Sequence, residues 1–346
     1  MSSPRAETSA PHPTHVRARR ATGLSIIIAA LFVLVFLSMS IGARDVPLDM
    51  VWETLLGSNA HPDAQSALAV RIPRTVLGLL AGAALGVSGA LIQAVTRNPL
   101  ADPGILGVNS GAAFAVAIAV GVLGITSPLS FLWFAFGGAL ITTIVVYLIG
   151  SAGKGPVSPA RITLAGVAIG AVLSGITSAM LLADPKGFNA MRAWEAGSIA
   201  DRGWEVSVVA APYLFAGLAL ALSLARPLNA VALGDDLAQS LGSSVLRTRV
   251  LSIVAVTLLC GTATAMAGPI AFVGLMIPHV ARWIVGPDQR WIIAYSIFLA
   301  PILLLASDIL GRVLLRPGEL PVGIVTAFIG APVLIVLVRR QRASAL

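Results

Sequence analysis

An all-α bundle of about ten membrane-spanning helices is the fold class that the sequence predicts, on three observations. Of 346 residues, 57% are hydrophobic and only 11% charged, against roughly 25% charged in soluble domains. Apolar runs long enough to cross a hydrocarbon core of about 30 Å recur along the chain, at about 1.5 Å per helical residue. The charged residues gather between those runs rather than within them. The net charge of +8 then reads as basic cytoplasmic loops, not as a nucleic-acid surface. Cys260 is the single cysteine and stands inside an apolar run, so it reads as a small core residue and offers neither a disulfide nor a thiolate metal site.

Residues 1–22, rich in Pro, Ser, Thr and Arg, predict a disordered cytoplasmic tail in which His12 and His15 are incidental. The first span, 23–41, is too long for the apolar region of a cleaved signal and reads as an anchor. Residues 42–70 carry Asp45, Asp49, Trp52, Glu53 and Asp63 and predict a surface-lying amphipathic segment. The stretch from Arg71 to Gly111 then organises the chain. Arg71 and Arg74 stand at one mouth of a span, and 22 uncharged residues separate Arg74 from Arg97. Gly78, Gly82 and Gly86 recur at intervals of four, which leaves one helix stripe almost bare and predicts a packing face. Asn98-Pro99 and Asp102-Pro103-Gly104 break the helix at the far side, because proline neither donates to the ladder nor tolerates a helical predecessor. Further spans are expected at 104–124, 128–150, 162–183, 206–225, 250–267, 268–285, 291–310 and 322–338, with 341–346 as a second tail.

An even number of spans places both termini on one side. With the termini inside, 15 of the 23 basic residues are cytoplasmic, and the topology is N-in, C-in. Two loops are more than connectors. Trp194 to Trp204 lies outside, where its tryptophans are expected to anchor at the interface. Residues 227–249 form the longest cytoplasmic connection. There Asp235 or Asp236 could cap a short helix, Gly242 could close it, and Ala238 with Leu241 would give it an apolar face. That face either packs on its own bundle or meets a partner.

Catalysis and ion coupling are poorly supported. His279 reads as a polar residue at a helix end, and Asp308, Arg312 and Glu319 lie near an outer mouth without a nucleophile and base among them. The spans are poor in the carboxylates of a proton or sodium relay, and no phosphate-binding Gly-x-x-x-x-Gly-Lys-Ser/Thr loop occurs. Energy must come from a partner.

RIPRTVLGLLAGAALGVSGALIQAVTRNPLADPGILGVNSGAA, the LGDDLAQSLG segment, GPIAFVGLMIPHVAR, and DILGR with GELPVGIVTAFIGAPVLIVLV resemble the FecCD family over about residues 24–340. These are membrane subunits of bacterial ABC importers for iron-siderophore complexes, haem and vitamin B12. The resemblance implies a type II importer permease in the cytoplasmic membrane that pairs with an identical copy or a paralogue. It implies a substrate path lined by the fifth and tenth helices, two ATP-binding subunits that carry ATP and magnesium, and an extracytoplasmic substrate-binding lipoprotein. This chain itself would bind no metal or cofactor. The family's coupling segment matches Leu233, Gly234, Asp235, Asp236, Ala238, Leu241 and Gly242, and its binding-protein docking arginines match Arg71, Arg74 and Arg312. Gly311 departs from the alanine usual before that last arginine. TRNPLADPGILGVNSGAA is most similar to ferric-siderophore members, with a haem or cobalamin importer as the alternative and an ion-coupled secondary transporter as the outside rival.

Overall fold

The computed structural model describes residues 13–42, 45–57, 62–125, 127–152, 159–184, 189, 191–192 and 194–343. Among them every long element is an α-helix: α1 Pro13–Ser40, α2 Leu48–Leu56, α3 Pro62–Thr96, α4 Val108–Gly121, α5 Pro128–Ser151, α6 Pro159–Ala183, α7 Gly203–Ala232, α8 Asp235–Ser240, α9 Val245–Ala267, α10 Val273–Val285, α11 Gln289–Leu314 and α12 Val322–Ala343. The ten expected spans correspond to α1, α3 to α7 and α9 to α12. The surface segment and the cytoplasmic loop supply α2 and α8.

Two expected boundaries move. Residues 13–22 are not a tail but the first turns of α1, held where the Tyr295 hydroxyl donates to the Arg20 carbonyl at 2.7 Å. The rest of that expected tail, 1–12, lies outside the described residues, as do 344–346. The outer surface segment is limited to α2, because Pro62 and Asp63 start α3 nine residues before Arg71. Proline has no N–H to lose in a first turn, and an acid there meets the positive end of the helix dipole. α2 buries Val51 and leaves Leu48, Trp52, Leu55 and Leu56 exposed, as an interfacial helix should.

α3 is the centre of the bundle. Its 35 residues reach about 50 Å, more than the hydrocarbon thickness, and α11, α9, α7 and α10 pack around it. A Cβ on Gly82 would lie 2.7 Å from the backbone of Pro301, and one on Gly86 would lie 2.8 Å from the Ser296 carbonyl, so this face lets α11 approach to backbone contact. α4, α5 and α6 form a second layer, and α1 lies against α11.

α4 and α10 are too short to cross, at 14 and 13 residues or about 20 Å each. Each is preceded by a stretch without α-helix that enters the bundle, the first ending in a 3-10 turn at Pro103–Leu106, and Pro103 abuts Gly274 in the first turn of α10. Irregular backbone survives at such depth only if protein groups replace water. Here they do. Asp102 accepts from Gly104 N at 2.8 Å. Gln93 of α3 donates to the Leu275 carbonyl at 2.9 Å.

Candidate functional site

At the outer end, the three arginines singled out in the sequence come together around the C-terminus of α1. A helix leaves its last carbonyls without intrahelical donors, and cations are favoured there. Arg71 Nη1 donates to the carbonyls of Met39 and Ser40, both at 2.8 Å. Arg312 Nη1 donates to Ser38 O at 2.7 Å and Ile41 O at 3.1 Å. Arg74 instead reaches α11: its Nε and Nη2 embrace Asp308, the latter at 2.7 Å, while Nη1 donates to Glu319 at 2.6 Å. Asp308 also pairs with Arg312 one helical turn away. Three cations and two carboxylates thus bind α1, α3, α11 and the loop before α12 into one body. Arg71 and Arg74 are 8% exposed and Arg312 only 1%.

The Gly311 departure has a steric reason. A Cβ there would stand 2.5 Å from the Leu320 carbonyl, and Leu320 N donates to Gly311 O at 3.1 Å. Beside the cluster, Arg316 grips exposed Asp45 at 2.7 and 3.1 Å. These hydrogen bonds hold the Asp45 carboxyl below its ordinary pKa.

At the cytoplasmic end, α7 continues through Pro227 to Ala232, so the loop is shorter than expected and runs from Leu233 to Ser244 around α8. Neither Asp235 nor Asp236 caps α8, whose N-cap is Gly234 with φ +119°. The Asp235 carboxylate is drawn away by stronger partners. It pairs with Arg97 and accepts from Arg249 Nη2 at 3.0 and 3.1 Å. Asp236 is exposed. Gly242 does close the helix: its φ is +79°, and Ser243 N donates back to Ala238 O at 2.9 Å.

The apolar face is not the expected one. Ala238 is fully buried against Val231 and Val245, fastening α8 to its own bundle. Leu233, Leu237 and Leu241, spaced by four, point outward and are 62, 56 and 66% exposed. Leu241 therefore does not share the burial of Ala238 but stands at the outer edge of α8. Behind α8 is a cavity of about 320 Å³ lined by Asp235, Gln239, Arg249, Tyr147, Ile162 and Thr163 among others.

Elsewhere, Trp194 is buried in the core rather than anchored at an interface, since its carbonyl lies against Gly268; Trp204 is exposed. His279 lies inside α10 with its ring edge-on to Trp283 at 4.8 Å, not at a helix end. Among the described residues, no group of three or more His, Cys, Asp or Glu side chains could hold a metal ion. α6 and α12 turn apolar side chains outward, including Leu164, Val167, Val172 and Phe328. The sequence reading missed Leu237 and the partners of Asp235. Arg249 lies only 14 residues from Asp235 and could have been suggested by proximity, whereas Arg97, 138 residues away, could not.

Known proteins resemble this chain in sequence and fold. A model of the FecCD transport family matches residues 30–340. The chain is 49% identical over 327 residues to the ferric enterobactin transport system permease protein FepD of Escherichia coli strain K12, covering 94% of this chain and 97% of that one. It is 38% identical over 284 residues to the siderophore transport system permease protein YfiZ of Bacillus subtilis strain 168, covering 82% and 84%. A solved inward-facing structure of a metal-chelate type ABC transporter superposes with a TM-score of 0.82 at 27% identity, covering 92% of this chain and 99% of that chain.

Proposed function

The chain belongs to the FecCD transport family, and from that premise we propose that it is the permease through which an ATP-driven importer moves a ferric siderophore across the bacterial cytoplasmic membrane. It is a transport subunit and not an enzyme. The observation that carries the siderophore reading over haem or cobalamin is the 49% identity, spanning 94% of the chain, to a ferric enterobactin permease.

Of the importer's two ATP-binding subunits, which carry ATP and magnesium, one docks on the Leu233–Leu237–Leu241 face of this chain and the other on the second permease. It is an apolar surface that stands free of the bundle at cytoplasmic level: Leu237 and Leu241 lie one turn apart on α8 and its C-cap, Leu233 precedes the break at Gly234, and such a patch suits a groove in a partner. A second permease, identical or paralogous, covers α6 and α12, and the ligand passes between the two halves. Their outward-facing apolar side chains suit a bulky ligand recognised mainly by another protein.

The substrate-binding lipoprotein docks at the outer arginine cluster. Because Arg71, Arg74 and Arg312 already serve the chain's own carbonyls and carboxylates, an incoming carboxylate reaches Arg74 by replacing Glu319, whose side chain is 33% exposed. Glu319→Gln should therefore tighten association with the lipoprotein.

The function is tested by reconstituting the chain with its ATP-binding subunit and lipoprotein in vesicles. ATP-dependent accumulation of a radiolabelled ferric catecholate is expected. Accumulation of haem or cobalamin instead would replace the substrate, and ion-driven uptake by the chain alone would overturn the importer.

A further inference from the structure

Four helix ends converge on Asp235. Arg97, at the C-terminus of α3, has a left-handed φ of 51°, which turns its side chain across the bundle base. Its Nε donates to Val231 O at 2.9 Å, in the last turn of α7, and its Nη2 pairs with Asp235 in the first turn of α8. The cation thus sits at the negative end of one helix dipole and the anion at the positive end of another. From the other side Arg249, in the first turns of α9, grips both carboxylate oxygens with a side chain only 13% exposed. Withdrawal from water strengthens this pair relative to an open surface bridge.

The clamp itself borders the cavity, which Arg249 of α9 and Thr96 of α3 also line. The cavity separates Asp235 and Gln239 from Tyr147 of α5 and from Ile162 and Thr163 of α6. α8 is therefore clamped to α3 and α9, which form the buried centre, and is spaced apart from the second layer.

We infer that Arg97 and Arg249, by clamping Asp235, make α8 move as one piece with α3 and α9, and that the cavity is the space through which this body shifts against α5 and α6 during transport. The inference rests on the reading of α8 as the ATPase docking element. It assigns Arg97 and Arg249 as positioning residues that transmit a movement without touching ligand or nucleotide.

The test uses the reconstituted importer with three variants of this chain. Arg249→Gln breaks the clamp, Arg249→Lys retains a cation, and Thr163→Phe fills the cavity from α6. Four quantities are read: co-purification of the ATPase, basal hydrolysis, stimulation of hydrolysis by loaded binding protein, and uptake. Arg249→Gln and Thr163→Phe should keep the ATPase and its basal hydrolysis but lose stimulation and uptake by about tenfold, a coupling loss of the usual allosteric size. Arg249→Lys should recover part of both. A side chain that merely supported the fold would lower all four together. Wild-type stimulation and uptake in both Arg249→Gln and Thr163→Phe would overturn the inference, as would loss of the ATPase from Arg249→Gln alone. Failure of the unaltered chain to retain an ATPase would instead refute the docking reading beneath it.

Discussion

At the outer end, three guanidinium groups are almost wholly withdrawn from water and bonded within the chain, while at the cytoplasmic end three leucines of one short segment stand more than half exposed. Each end inverts what a soluble surface would do. The difference separates self-assembly from assembly with a partner. A buried guanidinium is tolerable only with most of its donors used and its charge answered, and Arg312 leaves only its Nε unpaired, so the outer arginines are first of all structural, holding α1 to α3 and α11. An exposed leucine strip gains nothing from the chain that carries it. Burying each such side chain is worth about 1.5–3 kcal/mol, and that gain is available only to a partner.

Substitutions at the two ends should therefore separate stability from association. The largest effect is expected from Asp308→Ala, which leaves buried Arg312 without its carboxylate and Arg74 with Glu319 alone, and should cost about 3–5 kcal/mol. Thermal unfolding of the purified protein in detergent measures it, and an unchanged midpoint would show that the cluster is not structural. Next comes Gly82→Val, where added methyl groups meet the Pro301 backbone. Overpacking of this kind costs about 1–3 kcal/mol by the same assay.

At the cytoplasmic end the sign of the comparison reverses. Leu237→Glu with Leu241→Glu should change stability by less than about 0.5 kcal/mol, as exposed substitutions do, yet abolish retention of the ATP-binding subunit. Smallest is the rim of the outer cluster. Because Arg316 depresses the Asp45 pKa, that pair contributes only above the ordinary carboxylate pKa and is lost as pH falls through the lowered folded value. Asp45→Asn should leave the unfolding midpoint at neutral pH unchanged within error, and a large shift would move Asp45 into the structural core.

Spans, breaks and the glycine stripe were legible because apolar length, proline and small-residue spacing are local properties. The depth of the two re-entrant stretches was not. Nothing in 97–107 or 268–272 says that the chain climbs into the bundle before α4 and α10 begin; that depends on Gln93 meeting Leu275, and Pro103 meeting Gly274, from distant segments. Likewise the sequence put Arg71, Arg74 and Arg312 at the outer face but could not show them serving α1, whose carbonyls lie more than 30 residues from Arg71 and more than 270 from Arg312. Ala238 and Leu241 illustrate the phase problem. A six-residue helix is too short for periodicity to say which side faces home, and the buried Val231 and Val245 decided it.

The central claim is that the cytoplasmic leucine face exists for a second protein. It is tested most directly by parallel pull-downs of the tagged wild-type chain and its Leu237→Glu/Leu241→Glu variant from native membranes, with quantification of every retained subunit. An ATP-binding subunit held by the wild type and absent from an equally folded variant is the predicted result. Equal retention by both, or retention by neither while uptake persists, would contradict it.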